Sequence, residues 1–148
     1  MTIVNHRLPE LGYLLAPLVA VLWAAVVDLI RREIPDSISI GLTLWAILAE
    51  SLGWLPFRWE SLILGFIVAL ILGSFGFWLR SFGGGDVKLL AALGAALGFS
   101  ALWTMLFWTA LAGGVLALVA KWRGERELAF APAIALGLIA FIVSESLA

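Results

Sequence analysis

The chain reads as an all-α membrane protein, a polytopic bundle of about six transmembrane helices in a single domain over residues 1–148. Three observations predict this. The composition is 64% hydrophobic and 13% charged, with a mean hydropathy of +1.12. A soluble domain of this size cannot bury that much apolar surface, because too much of its chain stays at the surface. The apolar residues fall in runs near the ~20 residues that a bilayer core requires. Charge is confined to the short connections and the helix ends.

The elements follow in order. Residues 11–30 supply the first run, 37–55 the second and 61–79 the third. The first run is preceded only by Arg7 and followed at once by Arg31 and Arg32. A signal peptide places its charge the other way round, so the segment reads as a retained helix. From Leu89 to Ala120 the apolar stretch is too long for one crossing. Gly98-Phe99-Ser100 is its best turn signal. The break there yields a short fourth helix, 86–99, and a fifth, 101–120. The sixth is 131–147.

With six helices, the first, third and fifth connections share one side. That side holds Arg31, Arg32, Arg80, Lys88, Lys121, Arg123 and Arg126, against Arg7 and Arg58 on the other. The positive-inside rule makes the first side cytoplasmic and puts both termini outside. Trp54, Trp59 and Trp103 then fall near outer ends, and Trp78 and Trp122 near inner ends, where amphipathic rings settle.

A net charge of −1 offers no basic field for nucleic acid. The absence of cysteine excludes disulfides, thiolate metal sites and cysteine nucleophiles. The single histidine, His6, reads as a solvated terminal residue. Glu125 and Glu127 read as solvated loop residues.

Two carboxylates stand out. Asp28 lies inside the first apolar run, near its inner end, and Asp86 opens the fourth helix on the same side. Each has a structural reading: Asp86 as an N-cap, Asp28 as a partner of Arg31 or Arg32 one turn on. Neither reading explains why both sit at one depth, nor the glycines at 83–85 directly before Asp86. Ionisable residues in membrane segments are functional candidates by default. Two neighbouring aspartates share one proton, so one can activate water while the other polarises a carbonyl and protonates a leaving amine. Glycine before the dyad permits close approach and unusual backbone angles.

Three stretches carry a family resemblance. "DLIRREIPD" (28–36), "GGGDVKLLAALGAALG" (83–98) and "FAPAIALG" (130–137) resemble, in order, the motifs of type IV prepilin peptidases and archaeal preflagellin peptidases, the GxGD-type membrane aspartic proteases. The resemblance implies a metal- and cofactor-free endopeptidase of the cell membrane. Such an enzyme removes a short basic cytoplasmic leader from prepilin-like substrates just before their hydrophobic helix. It implies catalytic roles for Asp28 and Asp86, and motif or substrate-binding roles for Gly83, Gly85, Lys88 and Pro35. Asp36 stands where asparagine is common, and is expected to cap the second helix. Long family members add a cysteine-bearing N-terminal region and a methyltransferase activity. This chain resembles the short, peptidase-only members, so methylation is not carried over.

Placement at a helix N-terminus, with Lys88 nearby, favours charge on Asp86. Placement near a helix C-terminus disfavours it on Asp28. The expectation is that Asp86 ionises first and acts as the base. Two rival functions remain on the sequence: a small ion- or proton-coupled transporter using the same carboxylates, and a non-catalytic scaffold packing through Gly65, Gly73, Gly113 and Gly114.

Overall fold

The computed structural model describes residues 11–126 and 128–148. His6, Arg7 and Glu127 lie outside them. A short 3₁₀ turn, Gly12–Leu14, leads into α1 (Leu15–Arg31), followed by α2 (Asp36–Ser51), α3 (Trp59–Trp78), α4 (Gly84–Trp122) and α5 (Ala131–Leu147). There is no strand among the described residues. The stretches Gly12–Arg31, Trp59–Trp78 and Gly84–Trp122 are long and apolar enough to cross a membrane. Large side chains such as Val19, Trp23, Ile71, Val115 and Leu118 face outward on their surfaces. That pattern suits a lipid solvent.

The fourth and fifth expected helices meet at a break within α4, at the glycine where the sequence places it. Gly98 has φ 77° and ψ 168°, a conformation that needs glycine. Roughly 20 Å of helix lies between Gly98 and Gly85 on one side, and between Gly98 and Gly113 on the other. Yet Phe130 reaches both ends. Its ring lies 4.3 Å from that of Phe82, centre to centre, and a Cβ on Gly113 would meet its Cε2 at 3.0 Å. The chain therefore folds back at Gly98. Residues 84–97 form a first limb and 99–122 a second, and the Ser61 hydroxyl accepts the Phe99 N–H at 2.9 Å to hold the turn.

The first limb is the centre of the molecule. "VKLLAALGAALG" is apolar all round apart from Lys88, and a helix of that kind is buried on every side. Leu89 through Gly98 are all buried. Its small residues let a neighbour come close, as in membrane helix pairs. Gly65 of α3 and Gly94 touch backbone to backbone, and Gly73 leaves room for Val87. The second limb packs on α5, where Gly137 accommodates Thr109. Meanwhile α1 leans chiefly on α5, meets α2 sparsely and hardly touches α4.

Three helix ends differ from expectation for a local reason. α2 stops at Ser51, not 55, because Gly53 at φ 70° closes it. The Trp54 N–H bonds Ala49 O and the Gly53 N–H bonds Glu50 O, the paired bonds of a Schellman stop. α4 begins at Gly84, two residues early, so Asp86 is not the N-cap; Gly83 is. Asp36 is the first residue of α2, whose N-cap is Pro35, and its side chain makes no capping bond.

Candidate active site

One end of the bundle opens into a cavity of about 750 Å³, within the roughly 300–1,000 Å³ typical of ligand sites. Four segments line it: the end of α1 with residues 32–36, the α3–α4 connection 80–83, the first turn of α4, and the connection before α5. Asp28 and Asp86 both face it, close enough for their charges to repel. They are only 7% and 8% exposed. The two carboxylates singled out in the sequence, 58 positions apart, thus meet at one site.

Each carboxylate is held by backbone. Asp86 Oδ2 accepts the Gly83 N–H at 2.9 Å. This is half of a capping box, with no hydroxyl at glycine to return the bond. Asp86 Oδ1 is buried and takes no hydrogen bond from any described residue. Asp28 Oδ2 accepts the N–H of Ala131, the first residue of α5, at 3.3 Å. Both aspartates therefore face the N-terminus of a helix. The N-terminus of α5 reduces the helix-dipole asymmetry expected between the two, although Asp28 still lies in the last turn of α1.

The motif residues divide. Gly83 has φ −79°, and none of Gly83, Gly84 and Gly85 takes a positive φ, so conformational freedom is not what they supply. Close approach is. A Cβ on Gly85 would sit 2.9 Å from the Cβ of Ile34, which is buried in the connection after Asp28. Gly84 faces open space and leaves the cavity wall without a side chain. Pro35, at φ −60° and ψ 133°, turns that connection into α2. Lys88 places its Nζ 2.8 Å from both oxygens of Asp36.

Several cavity residues carried no strong sequence signal. Glu125, read as solvated, lines the cavity with Arg126. Arg32 and Arg80 line it too, at φ 55° and 59°. Both terminate helices in the left-handed region, where Gly53 and Gly124 do the same work elsewhere. A non-glycine residue is held there at a cost of order 1–3 kcal/mol, and such positions gather at functional sites. Phe82 fits against Gly76 and stacks on Phe130, which walls the cavity beside Asp28.

The chain's residues 15–118 match the family model described as the type IV leader peptidase family. The chain belongs to this family. The match takes in Asp28, the glycines at 83–85 and Asp86. Among curated relatives, the prepilin leader peptidase/N-methyltransferase of Burkholderia pseudomallei (strain 1026b) is 36% identical over 129 residues, 80% of this chain and 41% of the relative. The Neisseria gonorrhoeae protein of the same description is 34% identical over 81% of this chain and 44% of its own. The type 4 prepilin-like proteins leader peptide-processing enzyme of Escherichia coli O78:H11 (strain H10407 / ETEC) is 30% identical over 94% of this chain and 55% of its own. The chain spans about half the length of the curated leader peptidases it matches or less. No solved structure matches it. Membership in the leader peptidase family, with the apolar helices, makes this an integral membrane protein.

Proposed function

We propose that the protein is a membrane aspartic endopeptidase that removes the short basic leader of a prepilin-like substrate just before its hydrophobic helix. The observation that carries the reading is the convergence of Asp28 and Asp86, both buried, on one open cavity. Family membership supplies the substrate class.

The carboxylates act as a pair sharing one proton. The ionised member takes a proton from water as the water oxygen attacks the scissile carbonyl carbon. The protonated member donates a hydrogen bond to the carbonyl oxygen. Collapse of the tetrahedral intermediate breaks the C–N bond, and a proton from the pair passes to the departing amine. Asp86 Oδ1, without a hydrogen-bond partner among the described residues, is the acceptor left for that water. Open wall at Gly84 lets an extended peptide lie against the dyad.

The cavity end is assigned to the cytoplasmic face. Arg32, Arg80 and Arg126 surround it, as the positive-inside rule requires. On this reading residues 1–148 form one domain, and the two limbs of α4 cross separately, making six crossings with α2 and α5. The site chemistry asks for no methyltransferase.

Co-expression with a prepilin bearing a glycine–hydrophobic junction tests the proposal. The wild-type chain should shorten the substrate. Asp28→Asn and Asp86→Asn should each lower the rate by ~10²–10⁴-fold while the protein still accumulates in the membrane. An inert wild type overturns it and returns the transporter and scaffold readings.

A further inference from the structure

The two aspartates belong to helices that hardly touch, α1 and α4. Their spacing must therefore be set through intermediates. One is the Asp28–Ala131 hydrogen bond, which fixes Asp28 to α5. The others are the packing of α2 on α4 and, nearest the site, the connection between α1 and α2. The Arg32 N–H bonds the Asp28 carbonyl at 2.8 Å, so the connection begins one turn from the dyad. It meets the first turn of α4 at two points. Ile34 packs on Gly85, and two residues on, Asp36 receives Lys88. Gly85 and Lys88 are three apart and so share a helix face, with Asp86 between them in sequence.

We propose that Lys88 and Asp36 are a positioning pair. They clamp the α1–α2 connection onto the first turn of α4 and so set the distance between Asp28 and Asp86. The proposal rests on the dyad reading above. Three observations separate it from a direct or merely stabilising role for Lys88. The Lys88 ammonium is turned to Asp36, 2.8 Å from both oxygens. The pair is half-exposed, with side chains 55% and 58% accessible, and an exposed pair contributes little to stability. Its ends are 52 positions apart, so its effect is to join two segments rather than to support one helix. The pair's contribution is read in the dyad spacing, where small displacements of reacting groups cost rate.

The test uses Lys88→Asp, Asp36→Lys and the double exchange in the full chain, with Asp36→Asn as a milder variant that keeps an acceptor. Each charge reversal should lower kcat by about 3- to 10-fold and leave KM unchanged. The double exchange should recover most of that loss, as coupled neighbours do. An activity-independent reading comes from the cysteine-free chain. Spin labels at Ile30→Cys and Gly84→Cys should give one narrow distance in wild type and in the double exchange, and a broadened one in each reversal. A double exchange as inactive as Lys88→Asp alone, with the distance narrow throughout, overturns the proposal and assigns the Lys88 charge to the reaction itself. Failure of the dyad reading is recognised separately. It appears as cleavage surviving Asp28→Asn, or as no cleavage by wild type, and the label distances are unaffected by either.

Discussion

Asp86 and Asp28 are carried by two differently built walls. Asp86 belongs to the α3–α4 wall, where glycines bring two helices into backbone contact. Gly65 meets Gly94, Gly73 admits Val87, and Gly76 admits the returning Phe82. Asp28 belongs to the α1–α2 wall, whose helices meet sparsely and whose connection turns through a left-handed Arg32. The first wall has almost no room to adjust, because packed backbone cannot repack. The second is joined to the first by the packing of α2 along α4 and, at the cavity, by the α1–α2 connection. The difference assigns stability to one wall and adjustment of the dyad to the other.

The sharpest way to break that division is to thicken the first wall. Gly65→Leu or Gly94→Leu drives a side chain into a backbone carbonyl of the partner helix. Overpacking usually costs ~1–3 kcal/mol, more where backbone is the obstacle. Folded protein should largely disappear, measured as monodisperse yield after detergent extraction. A comparable loss from a leucine at Gly41, whose added Cβ would meet nothing within 4 Å, would show that the glycine contacts are not what distinguishes the wall.

A smaller, functional effect belongs where the walls meet. Gly85→Ala places a methyl 2.9 Å from Ile34 Cβ, and the connection must yield. Cleavage should fall by about 10- to 100-fold, as a displacement of reacting groups predicts. Thermal stability should change little, since the strain falls on a connection and not on packed helices. A thermal loss matching that of the Gly94 variant would erase the distinction between the walls.

The sequence made this site legible in part, for physical reasons. Apolar runs mark helices because lipid demands them, so α1, α3 and α5 were placed within a few residues. Gly98 was legible as a break because a positive φ selects glycine. The aspartates were legible as costly residues in greasy segments. Their backbone partners were not, because a donor such as the Ala131 N–H has no side-chain signature. Asp36 was misread as a cap because the local rule applies to any aspartate opening a helix, whereas its partner lies 52 positions away.

The smallest effect tests whether the Gly98 turn belongs wholly to the first wall. Ser61, in the first turn of α3, accepts the Phe99 N–H at 2.9 Å, and a Cβ on Gly98 would lie 2.8 Å from the same hydroxyl. At this reversal, near the start of α3, the Phe99 N–H is bound by a side chain. Ser61→Ala removes that partner and should cost ~1 kcal/mol, seen as a modest fall in the thermal midpoint. Cleavage should be unchanged below that midpoint, because the turn lies the full length of the first limb from Asp86. If Ser61→Ala lowers kcat instead, the first limb is not a rigid strut. The dyad would then be tuned from both walls.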